Sequence, residues 1–252
     1  RPKCRLSPTY AIIAGQTTTA YISPKSLTVS GNTSSNKTYD SNSSATVTVT
    51  LSGFIGSETL TYTNSSSFNN KNVGTGKTVT VDSITLADGN NGGLASNYSV
   101  TPGQTTTANI TAKSLTVSGS IASSKTYDGS ASATLDTSSV LYSGIISGDT
   151  FTGSYTGAFS NANVGTGKTV TITSSYSGAD TGNYSVTDQS STTADISAKA
   201  LTATASVSNK TYDATSSATA TLTLSGLVGL ETLGTTNAST FNHKNVSTGK
   251  TV

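Results

Sequence analysis

An all-β fold of tandem small domains is predicted by three observations. Apolar residues alternate with Thr, as in Ala45-Thr46-Val47-Thr48-Val49-Thr50-Leu51, and a period of two places every second side chain on one buried face of a strand. Short Val/Ile/Leu/Thr/Tyr runs separated by Gly, Asn, Asp and Ser recur at roughly 8 to 12 residues, the spacing of strands in a β-sandwich. The third observation is a long internal repeat, which orders the rest of the chain.

The opening block Ile22-Ser23-Pro24-Lys25-Ser26-Leu27-Thr28-Val29 returns 88 residues later at Ile110 to Val117, and 86 residues after that at Ile196 to Ala203. Three further blocks follow in the same order: Lys-Thr-Tyr-Asp at 37–40, 125–128 and 210–213; Ser-Gly before two apolar residues at 52–55, 143–146 and 225–228; and Asn-Val-Gly/Ser-Thr-Gly-Lys-Thr-Val at 72–79, 163–170 and 245–252. Each unit closes with Asn-Tyr-Ser-Val and a Thr-rich strand, at 97–108 and 183–194, and Tyr10 to Ala20 reads as another copy of that close. The expected organisation is therefore the tail of a preceding repeat at 1–22, complete repeats at 23–110 and 111–196, and a truncated repeat at 197–252, a piece of a longer array. A period this long exceeds that of stacked solenoid coils and suits an independent bead. Closing strand meets opening strand across about three residues, too few for a flexible linker. The fold class is thus tandem small β-sandwich (Ig-like) domains in an end-to-end array.

Composition narrows the function classes. Only 10% of the 252 residues are charged and the net charge is +2, while Ser and Thr supply roughly 37%, against a charged share of about a quarter in ordinary domains. The apolar alternation argues against disorder. Arg1, Lys3 and Arg5 lie at one end, and without them 11 Lys face 12 acids, so no basic stripe remains for nucleic acid. Cys4 is the single cysteine and belongs to the same atypical Arg1–Leu6 stretch, read as an end piece or junction. The repeats hold no thiol for a disulfide, a Cys metal site or a nucleophile. No stretch approaches the 18 or so apolar residues of a membrane span, and an export signal is expected upstream of the fragment.

The Lys-Thr-Tyr-Asp blocks, with the full Tyr127-Asp128-Gly129 in the middle unit, followed by Asn-Val-Gly-Thr-Gly-Lys-Thr-Val and Asn-Tyr-Ser-Val, resemble the YDG repeat of large secreted bacterial adhesins of the filamentous haemagglutinin type. The resemblance covers nearly the whole chain and implies a stalk at the bacterial cell surface. Ser41 and Ala214 stand where two copies depart from Gly.

Lys37, Tyr39, Asp40, Lys125, Tyr127, Asp128, Gly129, Lys210, Tyr212 and Asp213 are the repeat-motif residues, expected to build structure: Asp receives turn amides and Tyr fills the sandwich edge. Glu58, Asp149 and Glu231 recur after a Gly-containing turn. Such acids, together with Asn97 or Asp88-Gly89-Asn90-Asn91, also raise a Ca²⁺ reading, though no Asp-x-Asp-x-Asp run exists. Gly74-Thr75-Gly76-Lys77-Thr78 has the tail of a phosphate-binding loop, but Lys71, Ala162 and Lys244 stand where its first Gly belongs. Lys77, Lys168 and Lys250 beside Asn raise a Lys–Asn isopeptide reading, against that of solvated strand lysines that discourage edge pairing. His243 is the only His, and Asn70 and Asn161 take its place in the other copies, so no triad or repeated His site can be assembled.

The expected function is mechanical: a spacer in a secreted, cell-surface adhesin with a role in cell adhesion. No catalytic residue, metal or cofactor is assigned, and the chain is expected not to be an enzyme. The partners are neighbouring repeats and an unidentified host-surface protein or glycan. A carbohydrate- or host-protein-binding β-sandwich module is the alternative.

Overall fold

The computed structural model describes Gly15 and residues 17–252. The fold divides between Thr111 and Ala112 into two compact units. The expectations placed on Arg1–Leu6 lie outside the described residues.

The first unit holds β1 (Lys25–Ser34), β2 (Lys37–Thr38), β3 (Val47–Ser52), β4 (Thr61–Phe68), β5 (Gly74–Ala87), β6 (Tyr98–Val100) and β7 (Thr105–Thr111). They form two sheets, ordered β3-β1-β6 and β2-β7-β5-β4. The Thr alternation decides which side faces in: Val47, Val49 and Leu51 of β3 are buried while Thr48 and Thr50 are exposed. In the second sheet Val79 and Val81 of β5 and Ile110 of β7 are almost wholly buried, each such side chain contributing about 1.5–3 kcal/mol before entropy. The closing strand β7 does the most joining. It pairs antiparallel with β5, from Gly74↔Ile110 to Thr80↔Thr105, and parallel with β2 through Lys37↔Ile110.

The second unit opens with β8 (Lys113–Ser118), β9 (Ile121–Ala122), β10 (Lys125–Thr126), β11 (Ser132–Ala133), β12 (Leu135–Asp136), β13 (Leu141–Ser143), β14 (Thr152–Phe159), β15 (Gly165–Ser177), β16 (Tyr184–Thr187) and β17 (Ser191–Ser197). Pairings of the first repeat recur in register: Lys113↔Tyr184 matches Lys25↔Tyr98, and Lys125↔Ile196 matches Lys37↔Ile110. The sheets are β13-β8-β16, β10-β17-β15-β14-β11 and the short pair β12-β9. One difference has a local cause. Where β1 runs on through a bulge, the second repeat breaks into β8 and β9 at Gly119, whose φ is +94° and whose missing Cβ would lie 2.2 Å from the Ser139 carbonyl oxygen. Ala122, Phe159, Val170, Ala194 and Ile196 form the core here, with Tyr127, Ala133 and Leu135 against it.

The third repeat contributes β18 (Thr202–Val207), β19 (Ser217–Ala218), β20 (Ala220–Ser225) and β21 (Ser239–Thr240), paired only as β18-β20 and β19-β21. No residue from Ser197 onward is buried. The chain is all-β among its described residues, in several small sheets, apart from the 3₁₀ segments Ala95–Asn97 and Thr181–Asn183. No helix among the described residues is long and apolar enough to cross a membrane.

Candidate functional site

The Lys-Thr-Tyr-Asp blocks fold alike because each leaves the sheet into the same turn. Asp accepts the amide of the residue two further on: Asn42 N–H to Asp40 Oδ1 at 3.1 Å, Ser130 N–H to Asp128 at 2.9 Å and Thr215 N–H to Asp213 at 3.0 Å, an Asx turn. The residue between is left-handed in every copy, with φ of 66° at Ser41, 78° at Gly129 and 64° at Ala214. Gly occurs once, but the conformation that favours it occurs three times. Ser41 and Ala214 therefore carry about 1–2 kcal/mol of backbone cost that Gly129 avoids.

Each turn closes around an ammonium. Lys37 Nζ donates to Asp40 Oδ1 (2.7 Å), to Asn42 Oδ1 and O (both 2.9 Å) and to the Ser44 carbonyl (3.0 Å). Lys125 Nζ meets Asp128 Oδ1 (2.7 Å) and the Ser130 and Ser132 carbonyls (2.9 and 3.0 Å), and Lys210 Nζ meets Asp213 Oδ1 (2.8 Å) and Thr215 Oγ1 (2.9 Å). A Phe ring covers each cage, with Phe68, Phe159 and Phe241 centred 5.6, 5.7 and 5.9 Å from the respective nitrogens, within cation–π range. These rings are absent from the residues singled out in the sequence. The signal was there: each Phe stands four residues before the Asn of the Asn-Val block.

The cage also fixes the charge state of its acid. At Asp128 and Asp213 the lysine hydrogen bond, then the turn amide, hold the carboxyl below its ordinary range, to about 2 at Asp213. At Asp40 burial pushes upward and is outweighed by Lys37 and Asn42, so the net direction is again down. In each copy one carboxylate oxygen of this Asp, its Oδ1, is turned on an ammonium of the same repeat. Among the described residues no three His, Cys, Asp or Glu side chains gather as metal ligands.

The second recurring acid meets a tyrosine of the closing block. Tyr98 Oη donates to Glu58 Oε2 at 2.5 Å and accepts the Ile55 N–H at 3.1 Å; Tyr184 Oη donates to Asp149 Oδ2 at 2.5 Å and accepts the Ile146 N–H at 3.0 Å. The bond to Glu58 pushes the Tyr98 phenol up from its ordinary range. In the third repeat Glu231 instead takes the phenol of Tyr127 in the second, and that phenol too is pushed up.

The Gly-rich block is a bulge in a strand. Gly76 and Gly167 both adopt φ +58°, and their N–H groups go to Asn109 Oδ1 and Asp195 Oδ1 at 2.7 Å. Those donors face the closing strand. Lys77 and Lys168, half-buried on β5 and β15, reach Asn70 and Asn161 Oδ1 at 2.6 and 2.7 Å. Lys250 turns to His243, meeting its ring Nδ1 at 3.0 Å.

A family model described as the YDG domain matches residues 23–108, 111–194 and 197–252. The chain belongs to the YDG domain family. No curated protein and no solved structure matches it. Within these YDG repeats the caging Lys, its Asp and its Phe recur in all three copies, whereas the Tyr differs in depth. Tyr39 is buried, Tyr127 half-buried and Tyr212 more than half exposed.

Proposed function

We propose that this chain is a segment of the repeat stalk of a secreted bacterial surface adhesin, a mechanical spacer without catalysis. The tandem recurrence of the YDG repeat carries the reading, together with how each copy spends its polar groups. Lys37, Asp40 and their counterparts are engaged with one another and with turn backbone, as expected of a device that holds a fold. An active site would occur once and in a cleft.

Each bead on this reading is a small Ig-like sandwich, its two sheets packing inward-facing Val, Leu and Ile rows. The beads follow one another end to end, because β7 ends at Thr111 and β8 begins at Lys113 with only Ala112 between them. The stalk stands outside the cell, and a region elsewhere in the protein meets the host protein or glycan. Small-angle scattering of residues 22–197 tests the spacer role. An elongated particle unchanged by Ca²⁺ is expected; a compact particle, or one that changes shape with Ca²⁺, overturns it.

A further inference from the structure

The left-handed turn of the second repeat does not by itself require Gly129. Ser41 and Ala214 hold the same conformation in the other copies, with φ of 66° and 64° against 78° at Gly129, so the corner tolerates a Cβ. What crowds Gly129 comes from the third repeat. A Cβ there would stand 3.0 Å from Val228 Cγ1 and 3.9 Å from Val228 Cβ and Glu231 Oε1, and the first of these is closer than two carbon atoms ordinarily pack.

The corner is thus a seat on which the turn 226–231 of the third repeat lies. Tyr127, in the same corner, donates its phenol hydrogen to Glu231, and a bond to a charged acceptor is of the stronger kind. Beside it a crevice of about 120 Å³ is lined by Tyr127 and Val164 of the second repeat and by Leu201, Leu227 and Val228 of the third. Tyr127, Leu227 and Val228 are half-buried. Only residues 198–201 separate β17 from β18, and residues 112–252 form one compact unit.

We propose that the Tyr127–Gly129 corner of the second repeat is the docking surface for the Val228–Glu231 turn of the third, a latch that fixes how one repeat sits on the other. Val228 packs over the bare Cα of Gly129, and the phenol–carboxylate bond sets the direction of approach. Gly129 is a specificity position for this contact, because a larger residue there pushes Val228 off its seat. Glu58 and Asp149 accept phenols within their own repeats, and a carboxylate has acceptor sites for more than one donor, so the latch displaces no bond of that kind. Such a latch stiffens a spacer, a consequence that rests on the stalk role, whereas the contacts themselves do not.

The test is a cysteine trap in the 252-residue chain carrying Cys4→Ser. A Cβ at position 129 and the Val228 Cβ lie 3.9 Å apart, within the roughly 3.5–4.5 Å that a disulfide spans. Gly129→Cys/Val228→Cys is therefore expected to lose two hydrogens in intact mass under oxidised glutathione, which takes them up as thiol. The control is Gly129→Cys/Val246→Cys, whose second position is 86% exposed and outside the latch. The latch pair is expected to close at least about tenfold faster, since a held pair reacts at a higher effective concentration than a tethered one. In the native chain the Tyr127 phenol is pushed up by its bond to Glu231, so Glu231→Gln is expected to bring its titration down, followed by NMR of the tyrosine rings, while Glu58→Gln leaves it in place. A latch pair that closes no faster than the control overturns the proposal, as does a Tyr127 titration that Glu231→Gln does not move. Neither result bears on the scattering of residues 22–197, which omits the third repeat, so the latch and the spacer role fail separately.

Discussion

The second and third YDG repeats carry the same caged lysine in very different surroundings. Lys125 and Lys210 meet their Asp at 2.7 and 2.8 Å and their Phe at 5.7 and 5.9 Å. Yet Phe159 is buried in a core with Val170 and Ile196, whereas no side chain of the third repeat is buried at all. The hydrogen-bonded part of the cage is thus a local object, closed by contacts three to seven residues apart, and only its Phe comes from a distant strand or turn. The core depends on the closing strand, which holds β15 and β10 together.

Removing that strand's anchor should push the second repeat toward the state of the third. Ile196→Ala deletes a side chain 1% exposed, and residues 22–197 are expected to lose about 2–5 kcal/mol in urea unfolding. A loss below about 1 kcal/mol would break the comparison. Lys125→Met should act less strongly, lowering the melting temperature by roughly 5–10 °C, the equivalent of one or two net hydrogen bonds. In the third repeat Lys210→Met should leave the exchange of the β18 and β20 amides unchanged, since no core there rests on the cage.

Smaller again is the effect of the left-handed position. Gly129→Ala is expected to cost about 1 kcal/mol, bringing the second repeat to the condition already borne at Ser41 and Ala214. Equal stability of the two proteins would mean that the turn adapts.

The gentlest effect is that of acid. Asp40, Asp128 and Asp213 have folded-state pKa values below their unfolded ones, so their contribution is fully present above about pH 4. It is lost as pH falls through the folded values, which for Asp213 means down to about 2. Melting curves between pH 5 and 2 should therefore fall more steeply for the native chain than for Asp128→Asn.

The period, the strand alternation and the turn-making Asp could all be read along the chain. Val47-Thr48-Val49-Thr50-Leu51 alternates in burial as its composition requires. Compensation between strands was less legible. Tyr62 and Gly153 occupy matching ladder positions, opposite Leu86 and Tyr176, and aligned residues alone make that look like a lost ring. The space is filled from elsewhere: a Cβ on Gly153 would lie 2.3 Å from Tyr155 Oη and 2.6 Å from Tyr142 Oη. Around them Tyr142, Tyr176 and Tyr184 pack on Phe151 with ring centres 5.0 to 5.8 Å apart. Likewise, Glu58, Asp149 and Glu231 recur visibly, but which phenol caps each could not be told from spacing.

By itself, the sequence determined what neighbours along the chain can build: strands of period two, an Asx turn, a left-handed corner and an ammonium enclosed by the loop that follows it. The tertiary structure alone decided which distant segments close a repeat. Asn109 reaches Asn36 across 73 residues, and the entropy of closing so long a loop is recovered only when the strand brings Ala108 and Ile110 into a core shared with the remaining strands.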